Sequence, residues 1–282
     1  MGRKRSFFLL VSLGLGFAFL YVPILLLIIY SFNENRLVTV WSGFSTKWYG
    51  ELFNDGNILD AAWVSLRVAV FSATIATILG TIAGMVMARF RRFRGRTLFS
   101  GMLSAPLVMP EVITGLSLLL LFVALEQAIG IPAGRGVSTI TIAHSTFTMA
   151  FVAVIIQSRL AQMDESVEEA ALDLGARPAK VFFAITLPII SPALVAGWLL
   201  AFTMSLDDLV IASFTSGPAS TTLPMVVFSS VRLGVSPKIN ALATLLVLVA
   251  ALTILVAAWF MHRQEAMRDK AAAAAAAEEE RY

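Results

Sequence analysis

Three acids, Glu111, Asp207 and Asp208, stand in or beside stretches that are otherwise strongly apolar. A carboxylate at the centre of a bilayer costs roughly 2.5–3.5 kcal/mol on insertion scales, so it lines a polar route or meets a polar partner. Carboxylates along a route suit a ligand that carries ammonium groups. The alternative for Asp207 and Asp208 is structural: each could cap a helix end or bond inside the protein. Successive side chains on an intact helix diverge by about 100°. Both acids therefore reach one cavity only where the backbone breaks, and the expectation is that one lines the path while the other braces the break. His144 reads as a packed, hydrogen-bonded side chain rather than a proton switch. Trp198, Phe202 and Trp259 read as packing, with an aromatic face for an ammonium group as the alternative.

Enzyme chemistry finds little footing. The two histidines, His144 and His262, lie in different segments, and cysteine is absent, which removes disulfides, thiolate nucleophiles and thiolate metal sites. No phosphate-binding glycine loop, H-E-x-x-H pair or dinucleotide fingerprint is present, so the chain is expected neither to hydrolyse nucleotide nor to carry a cofactor.

The elements that hold the acids follow from hydropathy. Of 282 residues, 58% are hydrophobic and 14% charged, more apolar side chain than a water-facing surface can cover. A span needs roughly 20 apolar residues. Runs of that kind predict an all-α integral membrane protein with six transmembrane helices at about 7–31, 61–88, 98–125, 137–158, 189–206 and 239–261, within a transmembrane domain of residues 1–270. The basic start, Arg3, Lys4 and Arg5, resembles that of a secretory signal. Its apolar run exceeds a signal's short core and no small-x-small site follows, so a permanent span is expected. With the N-terminus inside, fifteen Lys and Arg fall on inner segments and six on outer ones, which predicts both termini in the cytoplasm. The third span divides at Pro106 and Pro110: its first half, with Gly101, Ser104 and Thr114, is expected to face the bundle interior. Between the first two spans, Phe44, Trp48 and Leu52 fall at helical spacing, which predicts a short helix flat on the outer surface as an interfacial anchor. The alanine and glutamate tail, residues 271–282, is expected to be a frayed helix without function.

The inner segment at about 160–188 carries its own pattern. Val167, Ala170, Ala171 and Leu174 follow the i, i+3, i+4, i+7 spacing of an amphipathic helix, with Glu165, Glu168, Glu169 and Asp173 mostly elsewhere. Gly175 suits the left-handed residue after a helix, and Pro178 opens a second short helix over 178–185 before Pro188 marks a break. This helix-turn-helix has no basic face, which argues against nucleic acid.

Glu169-Ala170-Ala171, Gly175, Ile185, Leu187 and Pro188 match the pattern E-A-A-x3-G-x9-I-x-L-P at all seven fixed positions. The segment resembles the EAA loop of bacterial ABC importer permeases. In that family it forms the coupling helices that dock in a cleft of the ATPase, which implies a coupling role for Glu168, Glu169, Ala170, Ala171, Gly175, Leu187 and Pro188. The alternative is an amphipathic helix on the membrane surface, although such helices are normally basic. A second likeness covers about residues 31–244, through Ser31-Phe32-Asn33, Trp48-Tyr49, Ser205-Leu206-Asp207-Asp208, Phe214-Thr215-Ser216-Gly217-Pro218 and Asn240-Ala241-Leu242. It resembles the permease subunits of polyamine importers and is most similar to the putrescine type. The resemblance implies a type I ABC importer permease of the bacterial inner membrane. Its implied partners are a homologous second permease, two ATPase subunits that bind ATP and Mg, a periplasmic substrate-binding protein and membrane lipid. A permease for another solute, or an ion-coupled secondary transporter, remains the alternative at this point.

Overall fold

A computed structural model describes residues 7–37, 40–90, 92–234, 236–253 and 255. Its helices are α1 (Phe7–Ser31), α2 (Lys47–Phe53), α3 (Gly56–Arg89), α4 (Arg96–Val108), α5 (Glu111–Ile129), α6 (Val137–Ala161), α7 (Ser166–Asp173), α8 (Pro178–Val181), α9 (Leu187–Asp207), α10 (Val210–Thr215) and α11 (Leu223–Leu233). A further apolar helix, α12, runs over Pro237–Thr253. The end of the sixth predicted span with Trp259 and His262, the tail at 271–282, and Arg3, Lys4, Arg5, Arg91, Arg263, Arg268, Lys270 and Arg281 lie outside the described residues. Among the described residues five helices are long and apolar enough to cross a membrane: α1, α3, α5, α6 and the continuous Pro178–Asp207.

The chain divides into two compact units, one of residues 1–55 with 230–282 and one of residues 56–229. In the first unit, α1 has 25 residues and spans about 37 Å, longer than a hydrocarbon core of about 30 Å. Among the described residues none in its most apolar window is buried, which suits a lipid-facing helix. The predicted surface anchor, α2, instead packs two of its residues into the protein. Trp48 and Leu52 are buried, while Phe44 precedes α2 and stacks on Phe32. An indole N–H needs an acceptor when buried, and Trp48 donates to the Asn33 carbonyl at 2.6 Å. The Asn33 side chain in turn donates to the Val40 carbonyl at 2.7 Å and accepts from the Ser42 N–H at 3.1 Å. A polar knot holds Trp48, and Leu52 is buried beside it on the same helix.

In the second unit, α3, α6 and α9 pack around Ala73, Ala76, Val152, Ile156, Leu160, Ile190 and Ala201. Their closeness comes from small residues on α3: a Cβ at Gly84 would stand 2.7 Å from the Ala153 carbonyl oxygen. Lipid offers no hydrophobic drive to association, so backbone proximity and van der Waals contact hold such helices together.

Two predicted boundaries differ. The third span is not one helix but two, α4 and α5, separated by extended backbone at Met109 and Pro110. Pro110 lacks an N–H and pushes Met109 out of the helical region, so the break falls at the second proline, while Pro106 is tolerated inside α4. Nor does α4 bury any residue within this chain; Ser100, Gly101 and Ser104 line an open cavity of about 590 Å³ with Arg96 and Gln157. The expected break at Pro188 is absent: a π turn over Phe182–Thr186 joins α8 to α9, and the Leu187 N–H bonds back to the Phe182 carbonyl. The wider turn accommodates a proline ring that would clash with the carbonyl four residues back in a regular helix. Farther on, the Ser191 hydroxyl donates to the Pro188 carbonyl at 2.9 Å, an oxygen that Pro192 has no N–H to reach.

Candidate functional site

The helix breaks at 109–110 and 208 each place an acid at the end of a candidate membrane span, Glu111 at the start of α5 and Asp208 just after α9. Glu111 is the first residue of α5, where a negative charge faces unsatisfied N–H groups and the positive end of the helix dipole. Asp208 ends α9 in an extended conformation, with φ −66° and ψ 126°. Its carboxylate accepts from the Ile211 N–H at 3.3 Å and the Ala212 N–H at 2.7 Å, capping α10. It also meets His144 Nε2 at 3.1 Å, and His144 Nδ1 lies 2.7 Å from the Ser205 hydroxyl. A proton on Nε2 directed at the carboxylate leaves Nδ1 to accept from Ser205, which satisfies every group in this buried network.

Asp207 turns the other way and stays exposed. Together Glu111, Asp207 and Asp208 line one cavity of about 310 Å³ with Phe147, Met204, Leu209 and Val210. Beneath it, Phe122 of α5, Ala143 and Phe147 of α6 and Ile211 of α10 form a buried cluster. Close approach of α5 to α10 is what brings Glu111 to the Asp207 side, for a Cβ at Gly115 would stand 2.7 Å from the Phe214 ring. The Thr139 hydroxyl donates to the Thr215 carbonyl at 2.7 Å, and the Leu223 N–H donates to the Ser65 hydroxyl at 2.7 Å, tying both ends of this segment to α6 and α3. Carboxylates beside a phenyl face are a setting for alkylammonium groups. Sequence reasoning missed Phe147 and the bond from His144 to Asp208; His144 signalled itself only as a lone polar ring in an apolar run. Trp198 and Phe202 are placed elsewhere: their rings stack at 5.3 Å against the α3–α6–α9 core, and the Trp198 indole donates to the Thr74 hydroxyl.

At the other site, the Asp164 carboxylate receives the Ser166 N–H at 3.0 Å before α7. That backbone bond, with a further one from the Ser166 hydroxyl, holds Asp164 below the ordinary carboxylate range. α7 ends as expected: Gly175 takes φ +83°, its N–H bonds the Leu172 carbonyl and the Ala176 N–H the Ala171 carbonyl, a Schellman closure. The faces of α7 are inverted relative to an ordinary surface helix. Glu168 turns inward, with its Oε2 at 2.9 Å from Arg89 Nε, and it accepts the Thr186 hydroxyl. Val167, Glu169, Ala170 and Leu174 are exposed, with Ala171 half-buried, and Phe183 extends the uncovered apolar surface. Gly175 and Pro188 are exposed and Leu187 half-buried.

Residues 76–268 match the model for the binding-protein-dependent transport system inner membrane component. The putrescine transport system permease protein PotI of Escherichia coli (strain K12) is 62% identical over 264 residues, 94% of each chain. The spermidine/putrescine transport system permease protein PotC of the same strain is 43% identical, over 88% of this chain and 91% of that one. Among solved structures, a bacterial ABC transporter involved in import of the acidic polysaccharide alginate matches with a TM-score of 0.71 at 17% identity, covering 91% of this chain and 98% of that one. An inward-facing MetNI methionine ABC transporter matches with a TM-score of 0.58 at 14% identity, covering 71% and 92%. The family match, the long relatives and the shared helical fold together make this chain a member of the inner-membrane components of binding-protein-dependent transport systems, a multi-pass transport subunit rather than an enzyme.

Proposed function

We propose that the chain forms half of the translocation pathway of an ATP-driven importer of polyamines, putrescine foremost. The observation that carries this reading is the cavity into which two helix breaks bring Glu111, Asp207 and Asp208 beside Phe147. A diamine presents two ammonium groups and an apolar linker, which such a lining matches at both kinds of surface. Strong identity to a putrescine permease over nearly the whole chain supports the same ligand.

In this reading Asp207 and Glu111 meet the substrate and Asp208 braces the break. A homologous second permease completes the pathway, and a periplasmic binding protein delivers the ligand. Two ATPase subunits bind ATP and Mg and grip α7 through Glu169, Ala170, Ala171 and Gly175, with Leu187 and Pro188 setting the start of α9. The excess of Lys and Arg on inner segments supports cytoplasmic termini, with α7 on the same side. The uncovered apolar stripe of α7, flanked by acids rather than bases, favours a protein partner over the lipid surface.

Import of labelled putrescine by the reconstituted assembly tests the proposal. Replacing Asp207 by Asn or Glu111 by Gln is expected to lower import about tenfold or more while binding-protein-stimulated ATP hydrolysis persists. Wild-type import in both variants would contradict the assignment of the cavity.

A further inference from the structure

We infer that Arg89 and Glu168 form a strut that carries movement of α7 into the membrane helices, so that Glu168, unlike its neighbour Glu169, acts inside this chain. The inference rests on α7 being the helix that the ATPase grips.

An eight-residue helix with no buried residue has little to hold it in place, since helices this short are unstable alone. Turns bound it on both sides, at Gln162–Asp164 and at Gly175. What fixes it is a set of polar ties to the bundle. Arg89 Nε lies 2.9 Å from Glu168 Oε2, and Arg89 Nη1 lies 3.5 Å from Glu165 Oε1 while donating to the Leu160 carbonyl at 3.3 Å. The other Glu168 oxygen accepts the Thr186 hydroxyl. Arg89 is the last residue of α3, and Thr186 is the last residue of the π turn that leads into α9. One carboxylate thus joins α7 to the near ends of two of the three core helices.

Exposed ion pairs contribute little, but both side chains here are only 17% exposed, so the charges meet with less screening. From Thr186, α9 runs 21 residues, about 31 Å, to Asp207 and the acidic cavity. The π turn is a place where helix register can give, and a cavity of about 170 Å³ beside the strut, lined by Met85, Leu172, Val181 and Phe182, leaves room for α7 to shift. Pulling α7 therefore pulls on α9 through Glu168 and Thr186, with Arg89 as the fixed point on α3.

The test is the number of ATP molecules hydrolysed per putrescine imported by the complete assembly in proteoliposomes. Glu168→Gln and Arg89→Glu are each expected to keep the ATPase subunits bound and hydrolysing while import falls about tenfold. The exchange R89E with E168R is made in an E165Q background, so that the moved carboxylate meets no second one, and is compared with E165Q alone. It is expected to recover most of the import. An unchanged coupling ratio in both single variants would overturn the strut. So would loss of the ATPase subunits from both, because the pair would then only shape the docking face. A wild-type assembly that retains no ATPase would instead overturn the docking of α7 itself.

Discussion

Asp207–Asp208 and Glu168–Glu169 are two pairs of adjacent acids, and in each pair one member turns inward to a basic group of the same chain while the other faces outward. Asp208 meets His144 and Glu168 meets Arg89, whereas Asp207 and Glu169 are exposed. The means differ. On α7 the roughly 100° between successive residues of an intact helix is enough to separate the two carboxylates. At 207–208 the helix has ended, and Asp208 holds the break by capping the helix that follows. The inward acid therefore supports an element, and in the proposed reading the outward acid presents a charge to something beyond the chain: a substrate in the cavity, a partner at α7.

Removing the inward acid Asp208 should break structure, removing the inward acid Glu168 should uncouple α7 from the bundle, and removing an outward acid should weaken function alone. The largest effect is expected for Asp208→Ala, which strands His144 and uncaps α10. An unpaired buried donor costs about 1–3 kcal/mol and a lost helix cap about 1 kcal/mol more. A marked fall in the Tm of the purified protein, with import at background, is the expected result. Gly175→Val comes next, because a side chain at φ +83° costs about 1–2 kcal/mol and distorts the hairpin. Bound ATPase should drop severalfold with little change in Tm. Glu169→Gln should act more weakly, lowering ATPase retention by a factor of about two to five and making it less sensitive to salt, since one exposed ion pair contributes about 0–1 kcal/mol. An equal loss of Tm in Glu169→Gln and Asp208→Ala would erase the distinction between outward and inward acids.

Much of this was legible from residue types alone. Long apolar runs mark spans because a bilayer admits little else, and Gly175 followed by Pro178 specifies the α7 turn through backbone geometry that only local residues control. The paired-acid argument also stands on local geometry, since the need for a break at Asp207–Asp208 follows from helix periodicity. What could not be read depends on partners distant in sequence. His144 and Asp208 are 64 residues apart, Arg89 and Glu168 are 79 apart, and neither pairing leaves a spacing signal. Glu168 and Glu169 are chemically equivalent in the sequence, so only the fold separates the inward acid from the outward one. Pro188 misled for a similar reason: a proline marks a break by default, and the π turn over Phe182–Thr186 that absorbs it carries the Thr186 bond to the distant Glu168.

The central claim is that the outward face of α7 is gripped by a separate ATPase. Because the chain contains no cysteine, Ala170→Cys provides a single attachment point for a benzophenone photocrosslinker in the complete assembly. Crosslinking to the ATPase subunit, suppressed when the carrier residue is moved to Phe44→Cys, is the result predicted here. Crosslinking of position 170 to lipid alone, or labelling of that position from the outer side of the membrane, would contradict it.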